Sequence, residues 1–309
     1  MAKRFVSIGE CMIEMSGGAE GNYRMGFAGD TLNTAWYMRA LLPADWQVDY
    51  VTALGDDRYS HQMRGFFAQN GIGTQHMKEI AGRRPGLYLI HQEAGDRHFT
   101  YWRDMAAAKL LADDGAALEQ ALSGADLIYF SGITLAILAP RARGRLIKAM
   151  VGARNGGARI AFDPNVRPAL WTSAKIMASA LTVGATIADV VLPTHSDEAP
   201  VFGDASAEAT AARYLDLGVS EVVVKDGALP ALVASGAERH AVAPQGTPAV
   251  VDTTGAGDSF NAGFLAARLM GLGLPEAVAR AHGVAGIVIG HKGALVDKAL
   301  VRPLGWRGD

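Results

Sequence analysis

Short apolar runs alternate with longer amphipathic stretches along most of this chain. Phe5-Val-Ser-Ile-Gly9 predicts a buried strand ending at Glu10, and Val48 to Leu54 predicts another, closed by Gly55-Asp56-Asp57. Thr34 to Leu42 is apolar on one face and predicts a helix that Pro43 stops. Tyr59 to Asn70 reads as an amphipathic helix ended by Asn70-Gly71. From Ala117 onward the alternation is regular. Helices at Ala117 to Leu122, Ala142 to Asn155, Ala174 to Val183 and Ala207 to Leu217 lead to strands at Leu127-Ile-Tyr-Phe130, Arg159-Ile-Ala-Phe162, Val190-Val-Leu192 and Glu221-Val-Val-Val-Lys225. Continuously apolar strands between helices predict a mostly parallel sheet covered on both faces. Ala231 to Ser235 and Arg239 to Ala243 predict a closing antiparallel pair, and Pro248-Ala-Val-Val251 a last strand. Ser259 to Met270 and Leu274 to Ile289 predict helices.

One region departs from this pattern. Gly86 to Gln92 and Arg97 to Arg103 flank Glu93-Ala-Gly-Asp96 and predict a hairpin projecting from the main sheet. Strand alternation puts Phe99, Tyr101 and Arg103 on one face, and His98, Thr100 and Trp102 on the other. An arginine beside a tyrosine can bind a carboxylate and pack on a carbon chain. The same pattern fits an edge strand whose aromatics cover a core. Met12 to Phe27 is glycine-rich and predicts surface strands or loops. The expectation is one α/β domain over residues 1–309, with a small β lid made of residues 12–27 and 86–103.

Composition narrows the function classes. The chain is 50% hydrophobic and 19% charged, with net charge -2, so no basic field draws it to nucleic acid or an anionic membrane. Its one cysteine, Cys11, excludes an intrachain disulfide and a thiolate metal cluster. The N-terminus enters a strand at once, and no run is long enough to span a bilayer, which favours a cytoplasmic setting.

In such sheets ligands gather beyond the carboxyl ends of the strands. Glu10, Asp163-Pro-Asn165-Val-Arg167, Thr194-His195 and Lys225-Asp226-Gly227 fall there in series, and Asp252-Thr-Thr-Gly-Ala-Gly-Asp258-Ser-Phe closes it. A Gly-Ala-Gly turn opening a helix leaves backbone N–H groups free to hold an anion, aided by the helix dipole. Asp258 beside that cradle can act as a general base, as phosphoryl transfer to a hydroxyl requires. Taken alone, the aspartate also reads as a helix N-cap. No GxxxxGK[ST] loop is present, and no GxGxxG follows Gly9-Glu10, which disfavours a dinucleotide oxidoreductase.

DTTGAGDSF is similar to the C-terminal signature of the PfkB (ribokinase-like) carbohydrate kinases. Ala28-Gly29-Asp30-Thr-Leu-Asn33 resembles their N-terminal GGxxxN motif, with Ala28 in place of the first glycine. Asp163-Pro-Asn-Val-Arg-Pro-Ala-Leu-Trp171 resembles their DxNxRxxLW pattern, and Lys225-Asp-Gly227 their nucleotide-side loop. Within the family, Gly9-Glu-Cys-Met-Ile-Glu14, Phe27 to Thr34, Pro85-Gly-Leu-Tyr88 and Tyr101-Trp-Arg103 resemble the 2-keto-3-deoxygluconate kinases.

The resemblance implies a ribokinase-like three-layer α/β fold and ATP-dependent phosphorylation of the C6 hydroxyl of 2-keto-3-deoxygluconate. Asp258 would be the base, and the amides of Gly255, Ala256 and Gly257 the anion hole. Gly29, Asp30, Asn33, Tyr88, Tyr101, Arg103 and Arg167 would bind the sugar acid. Asn165, Lys225, Gly227, Gly255, Gly257 and, by position, His282 would serve the nucleotide. Mg²⁺ would be held mainly by the ATP phosphates. A monovalent cation near Asp252 and Thr254 and a homo-oligomer through the lid stay open. The competing readings are a fructokinase or ribokinase-like enzyme, and a non-catalytic sugar- or nucleotide-binding regulator on the same fold.

Overall fold

The computed structural model describes residues 3–17, 21–93, 96–246 and 249–306. Nine strands form the main sheet. They are β1 (Arg4–Ile8), β4 (Gln47–Leu54), β5 (Met77–Glu79), β8 (Leu127–Ser131), β9 (Arg159–Asp163), β10 (Val190–Val191), β11 (Glu221–Val224), β12 (Ala231–Ser235) and β13 (Glu238–Val242). The spatial order is β13-β12-β11-β10-β9-β8-β1-β4-β5, parallel except for the last two pairings, β11 with β12 and β12 with β13.

Alternation along these strands builds two cores. Val6, Ile8, Ile128, Phe130, Ile160 and Phe162 face one layer, and Phe5, Tyr129, Ala161, Val190 and Val223 face the other. The first core is closed by Leu118 of α3 (Gly115–Leu122), Leu146 of α5 (Pro140–Asn155), Leu181 of α6 (Ala174–Thr186) and Tyr214 of α8 (Ala207–Asp216). The second is closed by Leu32 of α1 (Asp30–Leu41), Phe67 of α2 (Arg58–Gln69), Phe264 of α9 (Ala256–Leu269) and Val284 of α10 (Leu274–Ile289). Each fully buried Leu, Val or Phe contributes about 1.5–3 kcal/mol, so burial on both faces is what holds the sheet between its helices.

A second sheet has the order β3-β2-β6-β7, from β2 (Met12–Gly17), β3 (Tyr23–Ala28), β6 (Leu87–Glu93) and β7 (Asp96–Trp102). The hairpin of the sequence reading is thus β6 and β7, and the glycine-rich stretch before residue 28 supplies the other two strands. Strands β1 and β2 are consecutive, so the small sheet leaves the large one at Gly9 to Cys11.

Three differences from the sequence reading have local causes. The helix expected from Thr34 begins at Asp30, because Asp30 Oδ1 accepts from Thr31 N and Asn33 N donates to Gly29 O. No strand forms at Ala249 to Val251, and Pro248 lies outside the described residues. The N–H groups of Val251 and Asp252 both donate to Ile289 O at the end of α10, which removes them from any ladder. The short helices α4 (Gly132–Ile137), α7 (His195–Phe202) and α11 (Lys298–Val301) lack the periodicity that marks longer ones. Among the described residues no helix is long and apolar enough to cross a membrane.

The sheet places the polar residues. Chain order runs from β1 to one side through β4 and β5, then returns to the other side at β8. This reversal beside β1 is a topological switch point, with a crevice beyond its carboxyl end.

Candidate active site

Helix α9 starts in this crevice. Its N-cap, Gly255, has φ 76°, and a Cβ there would stand 2.9 Å from Ala294 O. Only glycine takes that left-handed conformation without strain while leaving the backbone so close. No side chain caps the helix, so the first-turn N–H groups beside Gly257 keep their partial positive charge. The Lys225 Nζ lies 3.7 Å from where a Cβ on Gly257 would be. Amides, dipole and ammonium together make an anion cradle.

Asp258 sits in the first turn of α9. Its Oδ2 accepts from Asn33 Nδ2 at 2.8 Å, and its backbone carbonyl accepts from Thr34 Oγ1 at 3.3 Å. Desolvation in the crevice, then the nearby Asp30 carboxylate, push its pKa up to about 7, against the Asn33 hydrogen bond and the more distant Lys225 charge. A carboxylate poised there is suited to general base work at neutral pH. Asp30 is raised as well, chiefly by desolvation.

A second network lies deeper. Lys225 Nζ donates to Asp163 Oδ2 at 3.2 Å and Asn261 Oδ1 at 2.9 Å, while Asn261 Nδ2 donates to Asp163 Oδ2 at 2.6 Å and Tyr129 Oη at 3.1 Å. Asn165 links it to the first group. Its N–H donates to Asp163 Oδ1 at 3.0 Å and its Nδ2 to Asp30 Oδ2 at 2.9 Å. Asn165 has φ 35°, the one positive φ of a non-glycine among the described residues. Such a conformation persists where the surroundings over-determine it. Asp30, Asn33, Asn165, Lys225 and Asp258 are therefore gathered into linked networks.

Sequence reading did not single out Asn261 or Tyr129. Asn261 is three residues after Asp258, on the same helix face, and is fully buried. A polar residue inside the otherwise apolar run from Phe260 to Ala267 of that helix is the signal that could have found it.

The second sheet forms another cluster. Tyr88 donates its hydroxyl to Glu14 Oε2, and its ring centroid is 5.8 Å from that of Tyr101. The guanidinium of Arg103 lies 5.9 Å from the Tyr101 ring and donates to Glu10 Oε2. At Gly29, a Cβ would stand 2.3 Å from Glu10 O, so the backbone passes there without room for a side chain.

Other expected site residues stand apart from both groups. Arg167 is half exposed, with Asp197 Oδ2 at 3.4 Å from its Nη1. Gly227 has φ 57° in the loop after β11. His282 Nε2 donates to Val242 O at 2.9 Å and packs edge-on against Phe260, and burial lowers its pKa. Asp252 accepts from Thr254 N at 2.9 Å and from Gly293 N at 2.8 Å. Among the described residues no group of three His, Cys, Asp or Glu could hold a metal ion.

The chain belongs to the pfkB family of carbohydrate kinases, whose model matches residues 2–299. It is 40% identical to the 2-dehydro-3-deoxygluconokinase of Escherichia coli (strain K12) over 306 residues, covering 96% of this chain and 98% of that protein. It is 38% identical to the 2-dehydro-3-deoxygluconokinase of Haemophilus influenzae, covering 98% of each. The structure is similar to a PfkB protein from Polaromonas sp. JS666, with TM-score 0.84 at 28% identity over 97% of this chain and 99% of that one. It shares the fold of an ATP-bound fructokinase from Xylella fastidiosa, with TM-score 0.83 at 20% identity over 99% of this chain and 96% of that one. The fold is thus the ribokinase-like α/β sandwich.

Proposed function

We propose that the protein transfers the γ-phosphoryl group of ATP to the C6 hydroxyl of 2-keto-3-deoxygluconate. The observation that carries this reading is near-full-length identity of 40% to 2-dehydro-3-deoxygluconokinases, in a chain whose crevice holds Asp258 beside an anion cradle. Asp258 takes the proton of the hydroxyl as its oxygen bonds to the γ-phosphorus and the bond to the β,γ-bridging oxygen breaks. Asn33 holds the carboxylate through Oδ2 during that step. The Gly255, Ala256 and Gly257 backbone steadies the charge on the transferring group. Lys225 and Asn165 hold the phosphate side of the crevice, with Gly227 and His282 toward the base.

A magnesium ion would be carried into the crevice by the nucleotide phosphates and water, with Asn165 on the phosphate side. When bound, such an ion neutralises charge on the β- and γ-phosphates. Gly29 and Asp30 line the sugar hydroxyls, and Tyr88 and Tyr101 cover its carbon chain. Arg167, half exposed and paired with a carboxylate only at 3.4 Å while its Nη1 donates to Val166 O at 2.7 Å, is the freer receiver for the sugar carboxylate, with Arg103 second. The second sheet serves as the lid that keeps water from accepting the phosphoryl group.

ADP release across a panel of acidic and neutral sugars tests the reading. Turnover with 2-keto-3-deoxygluconate well above fructose and ribose is expected. Equal or better turnover of a neutral sugar overturns the substrate, and none with any sugar overturns the kinase.

A further inference from the structure

Two carboxylates of the stretch Gly9 to Glu14 have no role in the chemistry above, yet both point into the sugar cluster. We infer that Glu10 and Glu14 are positioning residues of the sugar site, each fixing one ligand-facing side chain of the second sheet: Glu10 the guanidinium of Arg103, Glu14 the hydroxyl of Tyr88. The inference rests on the proposal that Tyr88 and Arg103 face the sugar.

The contacts form a closed circuit. Glu14 and Tyr88 are register partners in β2 and β6, and Tyr88 and Tyr101 are register partners in β6 and β7. Glu14 accepts from Tyr88, whose ring meets that of Tyr101 at 5.8 Å. Tyr101 lies under the Arg103 guanidinium at 5.9 Å, and Arg103 donates to Glu10. Glu10 and Glu14 stand four residues apart on one chain segment, so the circuit closes through their backbone. Burial pushes the Tyr88 hydroxyl pKa upward and the Glu14 charge adds to it, so Tyr88 stays protonated and donates.

The Glu10 pair is poorly explained as a stabilising contact. Its side chain is 1% exposed and that of Arg103 12%, and a buried ion pair gains little over packed apolar residues. Glu10 Oε1 is buried without a hydrogen-bond partner among the described residues, a loss that a stabilising design would avoid. Gly86 makes room for it, since a Cβ there would stand 2.7 Å from that oxygen. What the pair does provide is a fixed direction for Arg103 at the point where the second sheet leaves the first. Long side chains held by a buried partner lose less freedom when ligand arrives, which appears in KM rather than in the chemical step.

The experiment is steady-state kinetics on Glu14→Ala, Glu14→Gln, Tyr88→Phe, Glu10→Gln and the double variant Glu14→Ala/Tyr88→Phe, with KM read separately for sugar acid and ATP. Glu14→Ala is expected to raise the sugar-acid KM about tenfold, the loss of about one hydrogen bond's worth of binding, with ATP KM and kcat within twofold. Glu14→Gln, whose amide oxygen still accepts from Tyr88, is expected to restore most of it. The double variant is expected to match Tyr88→Phe, because Glu14 acts only through that hydroxyl. Glu10→Gln is expected to raise the same KM without moving that of ATP. The inference is overturned if Glu14→Ala leaves the sugar KM unchanged, if sugar and ATP KM move together, or if the double variant is additive. Tyr88→Phe and Glu10→Gln are near-isosteric and each is expected to raise the sugar-acid KM alone, so an unchanged KM in either overturns the inference even if Glu14→Ala fails to fold. If the preferred substrate is instead a neutral sugar, the substrate reading fails while the same KM split, read with that sugar, still tests the positioning role.

Discussion

The side-chain amide of Asn33 donates to Asp258 Oδ2 over 2.8 Å, joining α1 to α9 across 225 residues of sequence. The bond orients the carboxylate and opposes the desolvation that raises its pKa to about 7. The base form is the ionised one. kcat/KM is therefore expected to be flat above that value and to fall tenfold per pH unit well below it. Asn33→Leu removes the lowering contact, so the acidic limb is expected to move to higher pH. A limb that stays in place would show that Asn33 does not govern the titrating group.

Asp258→Asn is expected to reduce kcat by about 10²–10⁴-fold. Its thermal midpoint is expected to equal or exceed that of the parent, because Asp30 and Asp163 repel the charge that is removed. Activity near normal would place the base elsewhere, and a collapsed midpoint would make Asp258 a structural residue.

Arg167→Ala is expected to raise the sugar-acid KM by a factor corresponding to about 2–3 kcal/mol, the worth of a charge-assisted contact. Arg103→Leu is expected to harm a sugar acid more than a neutral sugar. An Arg167→Ala effect confined to the ATP KM would move that residue to the nucleotide side.

Gly255→Ala imposes a left-handed conformation on alanine, costing about 1–2 kcal/mol, and drives Cβ to 2.9 Å from Ala294 O. The cradle must shift, so a raised ATP KM with the sugar KM nearly unchanged is expected. Equal effects on both would locate the two ligands less separately than proposed.

Chelation of divalent cations is expected to stop turnover while leaving the melting midpoint of the ligand-free protein in place, since no metal cage is built among the described residues. A lowered midpoint in chelator would reveal a structural ion.

Much of the fold was legible because its signals are local. The strands from β8 to β11 are apolar runs buried on both faces, and their alternation with helices is the pattern of a parallel sheet covered on both sides. Asp258 and the glycines before it were legible for the same reason, as they sit within one helical turn. The pairings were not. Lys225 meets Asp163 across 62 residues, Asn261 meets Asp163 across 98, and Arg103 meets Glu10 across 93. No spacing rule along the chain encodes such contacts. The Val250-Val251 run misled because apolarity predicts burial, whereas these two are 63% and 50% exposed beside the end of α10.

The Asn33–Asp258 bond also sets a timetable. At the usual ~5–20 residues per second of synthesis, roughly 10–45 s separate the emergence of the amide from that of its acceptor. Throughout that interval a nascent chain carries Asn33 of α1 without the carboxylate it will hold. With Asp258 as the proposed base, phosphoryl transfer is expected to switch on late, when α9 docks, and a chain released by the ribosome before residue 258 is expected to be inert.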